Sequence, residues 1–300
     1  MITMITVMTH MDSDGIISLA FLLKHLSLIK VRAFFTSPVQ LRDTICRSLN
    51  KKTNPGELYI FDLAAEHNAI YAAAIYDSVL WIDHHEWAPN VELPHVKIII
   101  DSHAKSAASV VARHLGIDSP LVNLADEIDT NNIKSPEAEK IRLAVGALRF
   151  RFTGVELQKV LKKFAYELAE KELDALKEYE DYMNEYKLWL DLLRKNAKEK
   201  TKIFNVNGLK VAVFEATESV PVYAISNELD DDIDILVVLV YYANGPKSQT
   251  KLEFRTRTDV NVLKIAKFYG GGGHVKASGA TVYDIITVPE VLKTIELIYS

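Results

Sequence analysis

The chain has 300 residues, of which 49% are hydrophobic and 25% are charged, a composition typical of folded proteins that excludes a disordered chain. Its 40 acidic and 35 basic residues give a net charge of −5, which excludes a global positive field that would attract long nucleic acid nonspecifically. The single cysteine excludes an internal disulfide and favours a cytoplasmic location, and no apolar run is long enough to predict a membrane span.

Residues 1–150 alternate short apolar runs with amphipathic segments. The runs predicted to be strands are MITVMT, VRAFFT, ELYIFDLA, SVLWID and VKIIID, and the segments predicted to be helices are GIISLAFLLKHL, LRDTICRSL, HNAIYAAAIY and SAASVVARHLG. This alternation is typical of βα units around a mostly parallel sheet flanked by helices. We therefore predict an α/β domain over residues 1–150.

The second half of the chain predicts a helical segment followed by a smaller domain. Residues 154–200 contain no proline and carry apolar residues at helical spacing, which predicts a long helix or helical pair in a linker over residues 151–202. Beyond it, two β-rich runs flank an Asn207-Gly208 turn, a strong hairpin signal. Further strand-like runs and a helix predict an α+β domain over residues 203–300, with the active site expected in the cleft between the domains.

Polar side chains end several of the predicted strands of the first domain. His10, Asp62, Asp83 and Asp101 each follow an apolar run. Because the carboxyl ends of parallel strands form the ligand site in such sheets, we expect these groups to face one crevice.

The stretch HMDSDG brings three potential metal ligands close to the start of a helix. Alternate residues of an extended segment point the same way, so His10, Asp12 and Asp14 should converge, with Gly15 allowing a tight turn. Acidic residues here are also ordinary helix caps, and for Asp14 alone capping is an equal alternative. A set of carboxylates and imidazoles without cysteine favours Mn²⁺, with Mg²⁺ possible, and a pair of ions needs a carboxylate that bridges them.

Four motifs together resemble the DHH phosphoesterase family with its C-terminal DHH-associated domain. They are the HMDSDG stretch, FDLA around Asp62, the triplet Asp83-His84-His85, and GGGGHVKASGA near the C-terminus, in the order found in the family. The family includes RecJ-like exonucleases and nanoRNase or oligoribonuclease enzymes that use paired Mn²⁺ to hydrolyse phosphoesters. The resemblance covers nearly the whole chain.

The resemblance implies a role for each residue of these motifs. His10 and Asp12 would bind one ion and Asp14 and His84 the other, with Asp62 bridging them. Asp83 would orient the site, and His85 would contact the substrate phosphate, unless it is merely a surface histidine between two tryptophans.

A further family motif supplies one more aspartate, for which this sequence offers two positions. Asp129, followed by threonine, fits the family form, while Asp126 lies one helical turn away on the same face. We favour Asp129 and keep Asp126 as the alternative. We expect Asp101 to cap the helix that begins near SAASVV and not to bind metal.

The glycine run Gly270–Gly273 with His274 resembles the substrate-binding element of the family. Its backbone N–H groups could approach an anion closely, which gives Gly271, Gly272 and Gly273 a predicted role in substrate binding. Arg255 and Arg257 precede it on a strand and could bind phosphate or stack on a base, the alternative being a solvated strand face.

These features predict a phosphoesterase that uses two Mn²⁺ ions to hydrolyse short single-stranded RNA or DNA to mononucleotides. An enzyme acting on cyclic dinucleotides or 3′-phosphoadenosine phosphate is the first alternative. A catalytically inactive subunit that binds nucleic acid is the second. The sequence leaves open whether the chain forms a homodimer.

Overall fold

A computed structural model of the chain describes residues 4–49, 55–64, 67–89, 91–242 and 248–300. The chain forms two compact units, Met1–Lys187 and Leu188–Ser300. Among the described residues, no helix combines the length and the apolar character of a membrane span.

The first unit is built on the predicted parallel sheet. Its strands are β1 (Ile5–His10), β2 (Arg32–Thr36), β3 (Glu57–Phe61), β4 (Ser78–Asp83) and β5 (Val96–Ile100). They lie in the order β2-β1-β3-β4-β5, and all four pairings are parallel. A parallel sheet covered on both faces needs strands that are apolar on both sides, which explains their continuous apolar runs.

Helices cover both faces of this sheet. The helices of the first unit are α1 (Ser13–His25), α2 (Leu41–Ser48), α3 (His67–Ala73), α4 (Ala107–Leu115), α5 (Leu121–Asp129), α6 (Pro136–Arg151) and α7 (Gly154–Lys171), with 3₁₀ helices over Pro38–Gln40 and Glu172–Tyr179. On β4 the side chains alternate: Trp81 packs in the core formed with α2 and α3, and Ile82 packs in the core formed with α1 and α4. The predicted fold of this half is confirmed.

Helix α7, which lies in the predicted linker, packs within the first unit. The side-chain amide of Gln158 accepts a hydrogen bond from Phe35 N at 2.8 Å and donates one to Phe35 O at 2.7 Å, so it pairs with the outer edge of β2. The next helix, α8 (Glu180–Lys200), contains the division between the two units. The three-part division of the chain and the cleft between the domains stay predictions.

The second unit has a mixed sheet with helices. Its elements are β6 (Lys202–Val206), β7 (Leu209–Ala216), α9 (Val222–Ser226), β8 (Ile235–Tyr242), β9 (Gln249–Arg255), α10 (Leu263–Phe268), β10 (Gly272–Gly273), β11 (Ala277–Val282) and α11 (Val288–Ile298). The sheet order is β10-β11-β9-β8-β7-β6, with β7 and β8 parallel and the other pairs antiparallel. Asn207 and Gly208 join β6 and β7 with positive φ angles of 50° and 86°, as the predicted two-residue hairpin requires.

Candidate functional site

The turn between β1 and α1 holds His10 and Asp12 together. Asp12 caps α1 by accepting a hydrogen bond from Gly15 N at 3.1 Å, and its other oxygen lies 2.6 Å from His10 Nδ1. A Cβ on Gly15 would lie 2.4 Å from the carbonyl oxygen of His10. Glycine is therefore required at this position because the helix begins against the end of the strand.

Asp14 is buried and anchored by the N-terminus of α4. Its two carboxylate oxygens accept hydrogen bonds from Ala107 N at 2.6 Å and Ala108 N at 2.7 Å. These N–H groups belong to the first turn of α4, where the helix dipole also favours a negative charge. The carboxylate of Asp14 is thus fixed on the core side of the site.

The prediction that Asp101 caps α4 is wrong. Ser106 is the N-cap, accepting a hydrogen bond from Ser109 N at 3.1 Å. Asp101 instead accepts hydrogen bonds from His103 N at 3.2 Å and from the Arg113 guanidinium at 2.6 Å. A turn separates the end of β5 from the start of α4, so Asp101 lies too many residues before α4 to be its N-cap.

Asp62 stands at the centre of the polar groups at the strand ends. It follows β3 directly, its side chain is 2% exposed, and its φ of 55° is a strained conformation for a residue other than glycine. Its Oδ1 lies 3.6 Å from His84 Nε2 and its Oδ2 lies 3.6 Å from His10 Nδ1. Oδ2 is buried and receives no hydrogen bond within normal length from the described residues.

Asp83, fully buried at the end of β4, orients the histidines that follow it. Its Oδ1 accepts a hydrogen bond from His84 N at 2.8 Å and lies 2.8 Å from His85 Nδ1. Its Oδ2 accepts a hydrogen bond from Trp87 Nε1 at 2.7 Å. Trp87 was not among the predicted site residues; its position four residues after Asp83 is the only sequence signal of this contact.

His84 points into a ring of carboxylates. Its Nε2 lies 3.6 Å from both Asp14 Oδ2 and Asp62 Oδ1, and 3.5 Å from Asp129 Oδ2. The alternative residue, Asp126, accepts a hydrogen bond from Ser106 Oγ at 2.6 Å. The structure therefore brings Asp129 to His84 and uses Asp126 to hold the start of α4. Metal binding by Asp129 stays a prediction.

The charges of this cluster perturb one another strongly. Burial disfavours a charged His84, but the Asp62, Asp14 and Asp129 carboxylates raise its pKa to about 10. Burial, together with the charge of Asp62, raises the pKa of Asp129 to about 7 and that of Asp14 well above its usual value. Without a cation, His84 is therefore protonated at neutral pH, and both aspartates bind a proton more readily than a free carboxyl does.

His10 and His85 also have raised pKa values. Burial opposes the charged form of both rings, but Asp12 and Asp62 raise the pKa of His10 and Asp83 raises that of His85. Burial likewise opposes ionisation of Asp12, yet His10, with the more distant Arg149, lowers the pKa of Asp12. Arg149, exposed on α6, was not predicted from the sequence, and its charge reaches the site.

The donor atoms form three groups that share Asp62. In each group the ligand atoms lie within 4.8 Å of one another; the groups are His10 with Asp12 and Asp62, Asp14 with Asp62 and His84, and Asp62 with Asp83 and His85. Carboxylate oxygen and imidazole nitrogen suit Mn²⁺, and Mg²⁺ prefers the oxygens. The buried Asp62 Oδ2 without a hydrogen bond fits a cation ligand, so the residues present fit a pair of divalent ions.

In the second unit, the glycine run forms one arm of a hairpin. Gly272 and Gly273 pair with Gly279 and Ser278 of β11, and His274 N donates a hydrogen bond to Ala277 O at 2.7 Å to close the turn. Gly273 has a φ of 122°, which side-chain-bearing residues rarely adopt. Gly272, in contrast, is exposed, and a Cβ placed on it would meet no atom within 4 Å. The fold therefore requires glycine at position 273. It does not require glycine at position 272, where the backbone is exposed and free of neighbouring atoms.

The structure separates the two predicted arginines. Arg255, at the end of β9, donates a hydrogen bond to Phe254 O at 2.9 Å and lies 3.3 Å from Glu253 Oε2, so it stays beside the hairpin. Arg257 instead donates hydrogen bonds to Ser226 O, at the end of α9, at 2.5 Å and to Asp231 Oδ1, in the segment that follows α9, at 3.1 Å. Phosphate binding stays a prediction for both, with Arg257 already engaged in other contacts.

Comparison with known proteins supports the motif-based resemblance. Residues 207–300 match the family described as the DHHA1 domain. The chain is similar to the solved structure of the pGpG-specific phosphodiesterase PggH of Vibrio cholerae, with 16% identity, coverage of 98% of this chain and 97% of that chain, and a TM-score of 0.60. The predicted resemblance to the DHH phosphoesterase family is thereby confirmed.

Two further solved structures share this fold. One is exonuclease RecJ bound to manganese, with 14% identity, coverage of 99% of this chain and 90% of that chain, and a TM-score of 0.55. The other is an exopolyphosphatase-related protein from Bacteroides fragilis, with 15% identity, coverage of 98% and 91%, and a TM-score of 0.53. Curated protein sequences give no significant match. At these identities the structural likeness establishes the fold, and the substrate belongs to the proposal below.

Proposed function

We propose that this protein is a metal-dependent phosphoesterase that hydrolyses the phosphodiester bonds of short single-stranded oligonucleotides to mononucleotides, with two Mn²⁺ ions as cofactor. The observation that carries the proposal is the position of Asp62. This buried carboxylate, held at a strained φ of 55°, is shared by three groups of potential ligands. A carboxylate placed between two ligand sets is what a two-metal hydrolase requires.

Each residue of the cluster has a proposed role. His10 and Asp12 would hold one ion, Asp14, His84 and Asp129 the other, and Asp62 both. Bound divalent cations would supply a nucleophilic water at neutral pH and neutralise charge on the phosphate. Asp83 would orient His85, and by raising its pKa it favours the protonated ring, whose other nitrogen can donate a hydrogen bond to a phosphate oxygen.

The second unit supplies groups that suit a phosphate-bearing ligand. The open backbone at Gly272 permits close approach of an anion; His274 lies in the turn of the hairpin, and Arg255 lies beside it, paired with Ala277 of β11. We propose that Gly271, Gly272, Gly273, His274 and Arg255 bind one end of the substrate. The acidic net charge of −5 supports a short substrate, because a long strand would be repelled except at a local basic surface.

A second candidate substrate is a dinucleotide. The similarity to a pGpG-specific phosphodiesterase extends over nearly the full length of both chains and favours this candidate. A linear dinucleotide is also the shortest member of the proposed substrate class, so the same site could serve both. The cytoplasmic location, the possible homodimer, and activity on cyclic dinucleotides or 3′-phosphoadenosine phosphate stay predictions.

The test is hydrolysis of end-labelled RNA and DNA of two to about twelve nucleotides, with pGpG and cyclic dinucleotides alongside, in the presence of Mn²⁺. Wild-type protein is expected to release mononucleotides. Asp62→Asn, which keeps the side-chain shape, should reduce the rate by at least about 10²-fold because it removes a negatively charged ligand. Asp101→Asn is the matched control, since Asp101 also follows a strand but pairs with Arg113 outside the cluster.

Several results would contradict the proposal. Full activity in Asp62→Asn would exclude the proposed metal site. Binding of oligonucleotides by wild-type protein without any hydrolysis in Mn²⁺ or Mg²⁺ would identify the protein as an inactive binding subunit. Hydrolysis of cyclic dinucleotides alone would replace the substrate class.

A further inference from the structure

The sequence segment that forms the glycine hairpin and the helix before it is rich in basic residues. Residues 254–282 contain five lysines and arginines and a single acidic residue, Asp259, although the whole chain carries a net charge of −5. Lys264, Lys267 and Lys276 are exposed, and none of them lies within 4 Å of a carboxylate among the described residues. Such a segment in an acidic protein is a candidate contact surface for a polyanion.

Helix α10 presents two of these lysines together with an aromatic ring. Lys264, Lys267 and Phe268 are spaced i, i+3, i+4, so they share one face of the helix, here called the α10 face. The opposite side carries Ile265 and Ala266, which are fully buried in the core of the unit. Phe268 is 56% exposed, a large apolar ring left in solvent only two residues before the glycine run.

Backbone contacts tie the hairpin turn to the α10 face. Val262 N donates a hydrogen bond to Val275 O at 3.0 Å, and Ser278 Oγ donates one to Val262 O at 2.9 Å. The turn that carries Lys276 is therefore packed against the residue preceding α10. The glycine hairpin, Lys276 and the α10 face form one continuous part of the surface.

We propose that the α10 face and Lys276 bind the part of a single-stranded oligonucleotide that extends beyond the nucleotide held at the glycine hairpin. This inference rests on the proposed function and adds a preference for substrate length. The protein should bind longer oligonucleotides more tightly than dinucleotides. Phosphates of successive nucleotides pair with Lys264, Lys267 and Lys276, and a base stacks on Phe268.

The aromatic ring favours a nucleic acid over a simple polyphosphate. Phe268 meets the ring of Tyr269 edge to face, at 5.3 Å between centroids and an angle of 79°, an arrangement that does not cover both of its faces by stacking. Tyr269 itself is fixed by a 2.8 Å hydrogen bond between its hydroxyl and Thr294 Oγ. A supported, exposed ring between lysines is a combination that stacks a base and binds its phosphates.

The experiment measures binding of fluorescein-labelled single-stranded RNA to the full chain in EDTA, which separates binding from turnover. A dinucleotide, a strand of about twelve nucleotides and a polyphosphate of similar length are compared at several salt concentrations. Lys264→Ala/Lys267→Ala should weaken binding of the longer strand by roughly tenfold and reduce its salt slope by about 1.4, that is about 0.7 per lost phosphate contact. Phe268→Ala should weaken RNA binding by roughly tenfold and leave polyphosphate binding unaltered.

The matched control is Lys195→Ala/Lys198→Ala on α8, where two exposed lysines have the same i, i+3 spacing. It should leave the preference for the longer strand as in wild type. Circular dichroism and thermal melting confirm that each variant is folded.

Three results would overturn the inference. They are equal affinity of wild-type protein for the dinucleotide and the longer strand, an unaltered salt slope in the double lysine variant, and equal effects of Phe268→Ala on RNA and polyphosphate. Failure of the proposed function is distinguishable, because it would appear as absent hydrolysis in Mn²⁺ while these binding differences persist.

Discussion

The strand-end cluster of the first unit and the region of the glycine hairpin in the second unit differ in the burial of their charged side chains. In the cluster, Asp14, Asp62, Asp83 and His84 are all at most 3% exposed, and their charges are balanced by one another and by backbone N–H groups. In the second unit, Lys264, Lys267 and Phe268 on α10 and Lys276 in the hairpin turn are exposed. Buried charges are costly unless their partners are fixed, whereas exposed cations cost little and interact weakly until a polyanion arrives.

This difference separates the expected consequences of mutation. A change in the cluster should alter both chemistry and stability, because its side chains are buried and lie close to one another. A change of an exposed side chain on the α10 face or of Lys276 should alter affinity and leave the fold largely intact. The predictions below test that separation.

Removal of divalent cations is expected to have the largest effect. EDTA should reduce hydrolysis to background, and Mn²⁺ should restore it and raise the melting temperature. Without metal, the pKa of His84 is about 10 and that of Asp129 is about 7, so at neutral pH His84 and part of Asp129 carry a proton. Mn²⁺ binding should therefore release protons. The affinity for Mn²⁺ should therefore weaken as the pH falls. Calorimetry in buffers of different ionisation enthalpy measures this release, and its absence would contradict the assigned ligands.

Asp83→Ala should destabilise the metal-free protein by about 3 kcal/mol, because it leaves the buried His84 N and the half-buried Trp87 Nε1 without an acceptor. Burial would raise the pKa of Asp83, but His85 and the backbone N–H of His84 lower it. Its stabilising contribution is therefore present above the pKa of the unfolded state and is lost as the pH falls through the lower pKa of the folded state.

Urea denaturation at neutral and acidic pH checks this, with Asp101→Ala as the control. Asp101 also ends a strand, but its pair with Arg113, whose side chain is 63% exposed, should contribute only about 0.2–1 kcal/mol. Equal destabilisation by the two variants would contradict the role given to burial.

Trp87→Phe should reduce the hydrolysis rate about tenfold, because it removes one of the donors that orient Asp83 and hence His85. The same substitution at Trp81 is the matched control. Trp81 donates to Leu63 O at 2.8 Å and packs beside Trp87, so Trp81→Phe should lower stability more than rate. Steady-state kinetics and urea denaturation of the two variants separate these effects, and the reverse pattern would refute the assignment.

Much of the fold could be predicted because each parallel strand is a mainly apolar run that ends at a polar residue or is followed directly by one. The convergence of His10, Asp62 and Asp83 follows from that geometry, since parallel strands end at the same edge of a sheet. The hairpin at Asn207-Gly208 was equally accessible, because a two-residue turn with positive φ angles has a specific sequence signal.

What could not be predicted depends on contacts between distant parts of the chain. The anchoring of Asp14 by Ala107 and Ala108 joins residues 93 and 94 positions apart, and no periodicity reports it. The effect of the Arg149 charge on the pKa of Asp12 depends in the same way on how α6 packs. The wrong prediction for Asp101 has a local cause: a strand end and the next helix start were taken as adjacent, while a turn separates them.

The smallest expected effect, and the sharpest contrast within the hairpin, concerns two adjacent glycines. Gly273→Ala should cost about 1–2 kcal/mol of stability, because φ is 122° and a Cβ would lie 2.7 Å from Ala277 O. Gly272→Ala should alter stability by less than about 0.5 kcal/mol, since no atom lies within 4 Å of the added Cβ. If the backbone at Gly272 contacts the substrate phosphate, this second variant should nevertheless weaken oligonucleotide binding severalfold. Thermal melting and fluorescence anisotropy measure the two quantities separately. Unchanged binding in Gly272→Ala would show that the open space beside this glycine is not used by the substrate.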